Sequence, residues 1–133
     1  MFRFTYHPPL EQAKRDAGFV QRIELHDDQR RLGRALWHLP SRDDAVVQII
    51  ELQIEPTHQR LGHGSRLLNE VLRQAVLLAR TRGTPLRRAW VMVEQKSQLR
   101  ARAFLTRHGF HHTSTASNLL RKQDLLLYSK SFD

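Results

Sequence analysis

The sequence predicts a mixed α/β (α+β) fold in which helices flank one mostly antiparallel sheet. Seven segments have the alternating or β-branched apolar pattern of strands, and two longer ones repeat apolar residues every three to four positions, as helices do. Their order is four strands, a helix, a strand, a helix and two strands, which is typical of a sheet covered by helices. A length of 133 residues, 40% of them hydrophobic, suits a single domain over 1–133.

Proline and turn residues bound the predicted strands. Residues 2–6 alternate aromatic and polar side chains and stop at Pro8-Pro9, while Asp27-Asp28 suits a hairpin turn between the two strands that follow. The strongest strand, 46–54, is rich in Val and Ile and ends before Pro56. The predicted strands are 2–6, 19–26, 31–39, 46–54, 89–93, 110–116 and 125–131.

Two helices are predicted from apolar stripes and capping residues. The first runs from about 62 to 82 and is expected to end at Gly83. The second begins after Ser97, a good N-cap, and runs to 108, where Gly109 suits a left-handed C-cap. The stripe of the first helix that should face the core consists of Leu67, Leu68, Val71, Leu72, Ala75, Val76 and Ala79.

The composition restricts the class of protein and of ligand. Lys and Arg number 22 against 13 Asp and Glu, and this net charge of +9 favours anionic partners such as phosphate-bearing cofactors, nucleic acid or acidic proteins. The absence of cysteine excludes disulfides, thiolate zinc sites and a cysteine nucleophile, and the eight histidines lack metal-ligand spacing, so no metal is expected. No apolar run has the length of a signal peptide or membrane span, so we expect a cytoplasmic protein without membrane contact.

A basic, glycine-containing segment lies between the strongest strand and the longest helix: Gln59-Arg60-Leu61-Gly62-His63-Gly64-Ser65-Arg66. Its two glycines allow a ligand to approach the backbone closely, and the N–H groups and dipole of the first helical turn favour an anion such as a pyrophosphate. The segment matches neither the GxGxxG pattern nor the P-loop pattern. On spacing alone, a tight strand-to-helix turn with solvated arginines is an equally good interpretation.

Four segments together resemble the GNAT (GCN5-related N-acetyltransferase) superfamily. Gln59-x-x-Gly62-x-Gly64 is similar to the family's Arg/Gln-x-x-Gly-x-Gly/Ala signature, and Ile54-x-Pro56 is similar to its Val-x-Pro strand end. The stretch 98–110 resembles the family's Asn-x-x-Ala to Gly-Phe region, and 124–130 resembles its last strand. The resemblance covers roughly 19–131 and implies an acyl-CoA N-acyltransferase-like fold, an acetyltransferase activity and acetyl-CoA as the acetyl donor.

The resemblance also implies which residues hold acetyl-CoA. The backbone of Leu52, Gln53 and Ile54 would pair with the pantetheine amides, and an N–H of Leu52 or Gln53 would stabilise the oxyanion. The loop from Arg60 to Arg66, preceded by Gln59, would bind the pyrophosphate. Beside the pantetheine arm, Gln98 would replace the family's asparagine, and Ala101 and Leu105 would pack nearby.

Two positions differ from the family's catalytic pattern. Many members place a glutamate on the strand before the loop as general base; the corresponding residue here is Gln48, which cannot take up a proton. Glu51, the nearest carboxylate on that strand, is either the base or a solvent-facing strand residue. Leu105, next to Phe104, occupies the position of the tyrosine that usually acts as the general acid in the family, and neither residue can donate a proton. Gln48 and Glu51 are thus the candidate catalytic residues. Two alternatives follow from these differences: direct acetyl transfer in which water relays the protons, or an activity that is weak or lost.

The acceptor side differs as well. The family has two helices between its first two strands, whereas only 10–18 is available here. We therefore expect an open acceptor site, or one completed by a second copy of the chain, that suits an amine of a macromolecule or peptide. The alternative is a module of low or no activity that binds nucleic acid or an acidic protein through its basic surface. Trp37 and Trp90 are expected in the core rather than as stacking platforms.

Overall fold

The computed structural model describes residues 1–7, 20–39, 45–54, 62–94, 98–120 and 123–132. The described residues form seven strands and two helices in the predicted order. In chain order these are β1 (Arg3–His7), β2 (Gln21–His26), β3 (Arg31–His38), β4 (Val46–Ile54), α1 (His63–Thr81), β5 (Arg88–Glu94), α2 (Gln98–Arg107), β6 (His111–Leu120) and β7 (Gln123–Ser131). The last two strands are longer than predicted. The segment 10–18, which the sequence offers between the first two strands, and the N-cap Ser97 lie outside the described residues.

All seven strands belong to one sheet, in the order β1-β2-β3-β4-β5-β7-β6. Every neighbouring pair is antiparallel except β4 and β5, which are parallel. A parallel pair cannot be joined by a hairpin, so the chain must cross over one face of the sheet between the two strands, and α1 forms part of this connection. The predicted mixed, mostly antiparallel sheet with flanking helices is confirmed.

Both helices pack on the same face of the sheet, which we call the helical face. Ile23, Ala35 and Ile49 lie on this face, together with the apolar stripe of α1. The stripe is buried as predicted, except that Val76 is only half-buried. Leu105 of α2 belongs to the same core.

The other side of the sheet, which we call the open face, has no helix among the described residues packed on it. It carries polar and charged side chains of β2, β3 and β4, including Glu24, Arg34 and Gln48. The prediction that both tryptophans lie in the core is confirmed for Trp37 and wrong for Trp90. Trp37 is 3% exposed and lies in the core, whereas Trp90 is 36% exposed because its position on β5 pairs with Gln48, on the open face.

A buried carboxylate joins the edge strand β1 to α1. Glu70 is only 6% exposed and accepts a hydrogen bond from the Tyr6 hydroxyl at 3.2 Å and one from the Gln74 amide at 3.0 Å. Arg73, one turn further along α1, forms an ion pair with the same carboxylate. Burial, and after it the charge of Glu70, raises the pKa of Tyr6. The network satisfies a group that would otherwise be costly to bury.

We expect Glu70→Ala to lower the free energy of unfolding by about 1–3 kcal/mol, because it leaves buried donors without an acceptor. Glu70→Gln keeps an acceptor oxygen and should lose less. Urea unfolding of both variants measures the difference. Equal stability of Glu70→Ala and the wild-type chain would show that the network contributes nothing to the docking of β1.

The two helices meet at the start of α1 and the end of α2. A methyl group at Gly64 would lie 3.4 Å from the ring of Phe104, and the Ser65 hydroxyl lies 2.8 Å from Nε2 of His108. The rings of Phe104 and His108 are 4.8 Å apart. Partial burial, followed by the nearby charges of Arg107 and Lys130, lowers the pKa of His108, so the neutral ring is favoured in the fold.

His108 should make the protein less stable in mild acid. The unfolded chain takes up a proton at a higher pH than the folded chain, so stability is lost as the pH falls through about 6.5, the ordinary value for histidine, until the folded ring is protonated as well. His108→Gln keeps a polar partner for Ser65 but does not titrate. The loss of unfolding free energy between pH 7.5 and pH 5, measured with urea, should therefore be smaller in the variant, and an equal loss would contradict the assignment.

Candidate active site

The sheet divides where its two parallel strands stop pairing. The register of β4 and β5 runs from Val46–Arg88 to Ile49–Val91 and ends there, although β4 continues to Ile54 and β5 to Glu94. Beyond Ile49, β4 pairs only with β3 in the described part of the chain. The two strands therefore part into a V-shaped gap, and one edge of the β4 backbone faces this gap.

A β-bulge in β4 lies at the mouth of the gap. Leu36 pairs with Glu51 and Trp37 with Ile49, so Ile50 is an extra residue between two rows of the β3–β4 ladder. In a regular strand, residues 48 and 51 would point to opposite faces. The bulge brings both to the open face and turns Ile50 out, where it is 45% exposed.

Glu51, one of the two candidate bases, is half-buried and ion-paired. Its Oε1 lies 3.2 Å from the guanidinium of Arg34, across the ladder on β3. Glu51 is therefore not a fully solvent-exposed strand residue, and its carboxylate is not without a partner either. Its catalytic role stays a prediction.

Gln48, the second candidate, has a titratable neighbour that the sequence did not indicate. His38 on β3 is its register partner, and His38 Nε2 lies 2.9 Å from Gln48 Oε1. Both side chains are half-buried on the open face. Residues 38 and 48 lie on different strands, so only the register of β3 against β4 could have revealed the pair.

The end of β4 is positioned by a glycine on β3. Leu52 and Ile54 are half-buried and Gln53 is exposed. A methyl group at Gly33, which pairs with Ile54, would lie 2.6 Å from the carbonyl oxygen of Gln53 and 2.7 Å from the Ile54 side chain. Only glycine allows the two strands to approach this closely without displacing the backbone expected to bind pantetheine. Sequence reasoning missed this residue.

The start of α1 has the features expected of an anion site. Gly62 is its N-cap with φ 81°, a left-handed conformation that favours glycine, and no acidic residue occupies the first turn. Phe2 contributes a contact that the sequence did not suggest, because its ring packs edge-on against His63 and beneath the guanidinium of Arg66, 4.3 Å from the ring centre. Gly64 and Ser65 are half-buried against α2. Gln59, Arg60 and Leu61 lie outside the described residues.

The residues predicted on α2 lie on the helical face. Ala101 is half-buried and packs against the core, and Leu105 is 4% exposed, so a leucine fills the core at the family's tyrosine position. Gln98 begins the helix. Tyr128 of β7, the only other tyrosine besides Tyr6, is 1% exposed, and its hydroxyl has no hydrogen-bond partner among the described residues.

Helix α1 begins at the boundary between the two halves of the sheet. It packs on β3 and β4, whereas α2 contacts β5, and the two helices touch where Gly64 meets Phe104. The start of α1, where an anion is expected to bind, therefore lies at the junction between the helix packed on β4 and the helix packed on β5. In the described ranges, no three metal-ligating side chains come together, and neither helix is both long and apolar enough to cross a membrane.

Comparison with known proteins agrees with this geometry. The family model described as Acetyltransferase (GNAT) family matches residues 2–110. A GNAT family acetyltransferase from Elizabethkingia anophelis, solved with acetyl-CoA bound, is 13% identical over 98% of both chains with a TM-score of 0.73. A spermidine/spermine N-acetyltransferase from Vibrio cholerae is 16% identical over 91% of this chain and 69% of its own, with a TM-score of 0.71. No curated protein matches the chain by sequence.

At these identities the solved structures show a shared fold, and the family model, which spans most of the chain, shows the family. The chain belongs to the GNAT family of acetyltransferases, enzymes that transfer acetyl groups from acetyl-CoA.

Proposed function

We propose that this chain transfers the acetyl group of acetyl-CoA to an amine of a peptide or other large acceptor. The observation that supports this most directly is the gap between β4 and β5, which opens after Ile49 and Val91, together with a start of α1 that touches the helix packed on β5. A strand edge in such a gap can bind an extended, amide-containing arm as a partner strand would. The helix start offers N–H groups to a pyrophosphate at one end of that arm.

The donor would lie along this gap. The gap-facing backbone edge of Leu52, Gln53 and Ile54 would pair with the pantetheine amides, while Ala101 and Leu105 with Gln98 would border the arm on the α2 side. The pyrophosphate would bind the segment from Gly62 through His63, Gly64 and Ser65 to Arg66, with Arg60 adding positive charge. Acetyl-CoA supplies an activated acetyl group when bound.

The chemistry requires two functions of the chain, stabilisation of the oxyanion and uptake of a proton. An amine nitrogen attacks the thioester carbonyl, and the N–H of Leu52 or Gln53 stabilises the negative oxygen that forms. The carbon–sulfur bond then breaks, the thiolate leaves and takes a proton from water, and the amine loses one proton to a base. Glu51, the only carboxylate on β4, forms an ion pair with Arg34.

The open face supports a large acceptor. Ile50 at the bulge is 45% exposed and Trp90 on the neighbouring strand is 36% exposed, so apolar surface accompanies the mouth of the gap. A peptide can cover such a surface, whereas a small amine would leave it in water. The same patch could also be covered by a second copy of the chain.

A second candidate is a GNAT-fold module that binds nucleic acid or an acidic protein and transfers no acetyl group. It is favoured by the replacement of proton-transfer residues by Gln48 and Leu105, together with the net charge of +9. Binding of this kind would weaken steeply with salt and would not depend on acetyl-CoA.

Acetyl-CoA titration by calorimetry, with two matched glycine variants, tests the donor site. Gly62 and Gly83 adopt the same left-handed backbone conformation at opposite ends of α1, with φ of 81° and 83°. Alanine at either position should cost about 1–2 kcal/mol of stability. Only Gly62→Ala should weaken acetyl-CoA binding, by about tenfold, because it disturbs charge-assisted hydrogen bonds at the anion site.

Absence of binding by the wild-type chain at millimolar acetyl-CoA would overturn the proposed function and favour the second candidate. An equal loss of affinity in Gly62→Ala and Gly83→Ala would place the pyrophosphate elsewhere. A fluorescence anisotropy titration with labelled RNA and DNA at two salt concentrations distinguishes the second candidate directly.

Trp90→Ala should raise the KM for a lysine-containing peptide about fivefold to tenfold, the effect of losing one aromatic contact, without changing the KM for acetyl-CoA. Release of free CoA thiol measures the rate, and spermidine serves as the small-amine comparison. A peptide KM that is unchanged in Trp90→Ala, or a higher efficiency with spermidine than with any peptide, would contradict a large acceptor on the open face.

A further inference from the structure

We propose that His38 is the general base of the acetyl transfer and that Gln48 is the residue that positions it. This inference rests on the proposed function and assigns the proton acceptor that the sequence left open. It begins from the hydrogen bond between the two side chains, 2.9 Å from His38 Nε2 to Gln48 Oε1, on the face of the sheet that carries no described helix.

The chemistry of the amide oxygen decides the form of the ring. A carbonyl oxygen only accepts, so the imidazole Nε2–H donates to Gln48 Oε1. In the neutral ring the second nitrogen, Nδ1, then holds a lone pair and can accept a proton. A glutamine at position 48 thus fixes the orientation and tautomer of His38, which is the role that an orienting group plays beside many catalytic histidines.

The pair lies at the mouth of the gap. Gln48 precedes Ile49, the last residue of β4 that pairs with β5, and its register partner on β5 is the exposed Trp90. A thioester held at Leu52 would lie four residues further along β4, an interval of on the order of 10 Å that the bulge shortens. The attacking amine and one bridging water fill such a distance, and a general base can act through one water.

Other charged groups on the open face do not offer the same chemistry at the gap. Glu24 and His26 lie on β2, two strands away, where Glu24 forms an ion pair with Arg31 and His26 is hydrogen-bonded to Thr5. Arg22 on β2 and Arg88 on β5 lie on this face by register, and neither guanidinium can accept a proton. Arg34 and Glu51 neutralise each other in their ion pair, one residue beyond the bulge.

The step balances without another reactant. As the bond between the amine nitrogen and the acetyl carbon forms, the proton on nitrogen moves to Nδ1 of His38, directly or through the water. The carbon–sulfur bond breaks and the thiolate leaves with the electron pair. The thiolate takes a proton from water, and His38 returns its proton to solvent, so the products are the amide and free CoA.

His38→Gln tests the assignment, with His26→Gln as the matched control. His26 is also a half-buried histidine of the open face. It is hydrogen-bonded to Thr5 on the edge strand β1, several strands away from the gap. Rates are measured from pH 5.5 to 9 with a lysine-containing peptide and with spermidine, and acetyl-CoA affinity is measured by calorimetry. We expect His38→Gln to lower kcat about a hundredfold, with acetyl-CoA affinity and melting temperature unchanged, and to remove the acidic limb of the pH–rate profile.

Gln48→Glu distinguishes a positioning role from a purely structural one. A carboxylate opposite Nε2–H favours the protonated ring, so the acidic limb should move to higher pH while the melting temperature stays the same. His26→Gln should behave as the wild-type chain in every respect.

The two proposals fail in different ways. If the wild-type chain binds no acetyl-CoA or acetylates neither probe, the proposed function is overturned and His38 has no acetyl transfer to serve. If the wild-type chain is active and His38→Gln keeps its kcat and acidic limb, only the assignment of His38 is overturned. A loss of activity in His38→Gln accompanied by an equal loss in His26→Gln or by unfolding would also overturn it.

Discussion

The structure depends on one constraint, the pairing of β4 and β5 in parallel within an otherwise antiparallel sheet. A parallel pair requires a crossover, and the crossover carries α1 over the helical face so that the helix starts near the end of β4. The pairing also stops at Ile49 and Val91, which leaves a strand edge beside the positive end of a helix. The proposed anion site and the proposed amide-binding edge are therefore consequences of the same topology.

The bulge at Ile50 gives the two faces of the sheet separate roles. Before it, β4 contributes Ile49 to the core, and beyond it Glu51 lies on the same open face as Gln48. The donor would approach through the gap from the helical face, and the acceptor from the open face, so the two substrates meet across one strand. The close approach of Gly33 to the carbonyl of Gln53 holds the end of this strand in place.

Features set by neighbours in the sequence could be predicted, whereas those set by register could not. The order of the elements, the buried stripe of α1 and the left-handed glycines after the helices follow from local spacing and capping rules. The exposure of Trp90 and the contacts of Phe2 with Arg66 depend on which residues of distant strands and helices lie opposite each other. One extra residue in β4 changes every such assignment beyond it, and no local signal marks Ile50.

The same reasoning changes the meaning of the missing family glutamate. In the sequence alone, Gln48 replaces the family's general base by a residue that cannot take up a proton. Read across the sheet, it faces an imidazole, and here the amide has an advantage over a carboxylate. A glutamate opposite Nε2–H would favour the protonated ring, which has no lone pair left to accept a proton, whereas a neutral amide orients the ring without adding a charge. The pair of His38 and Gln48 would thus take over the role of the family's glutamate, with the imidazole as the base and the amide as the group that orients it.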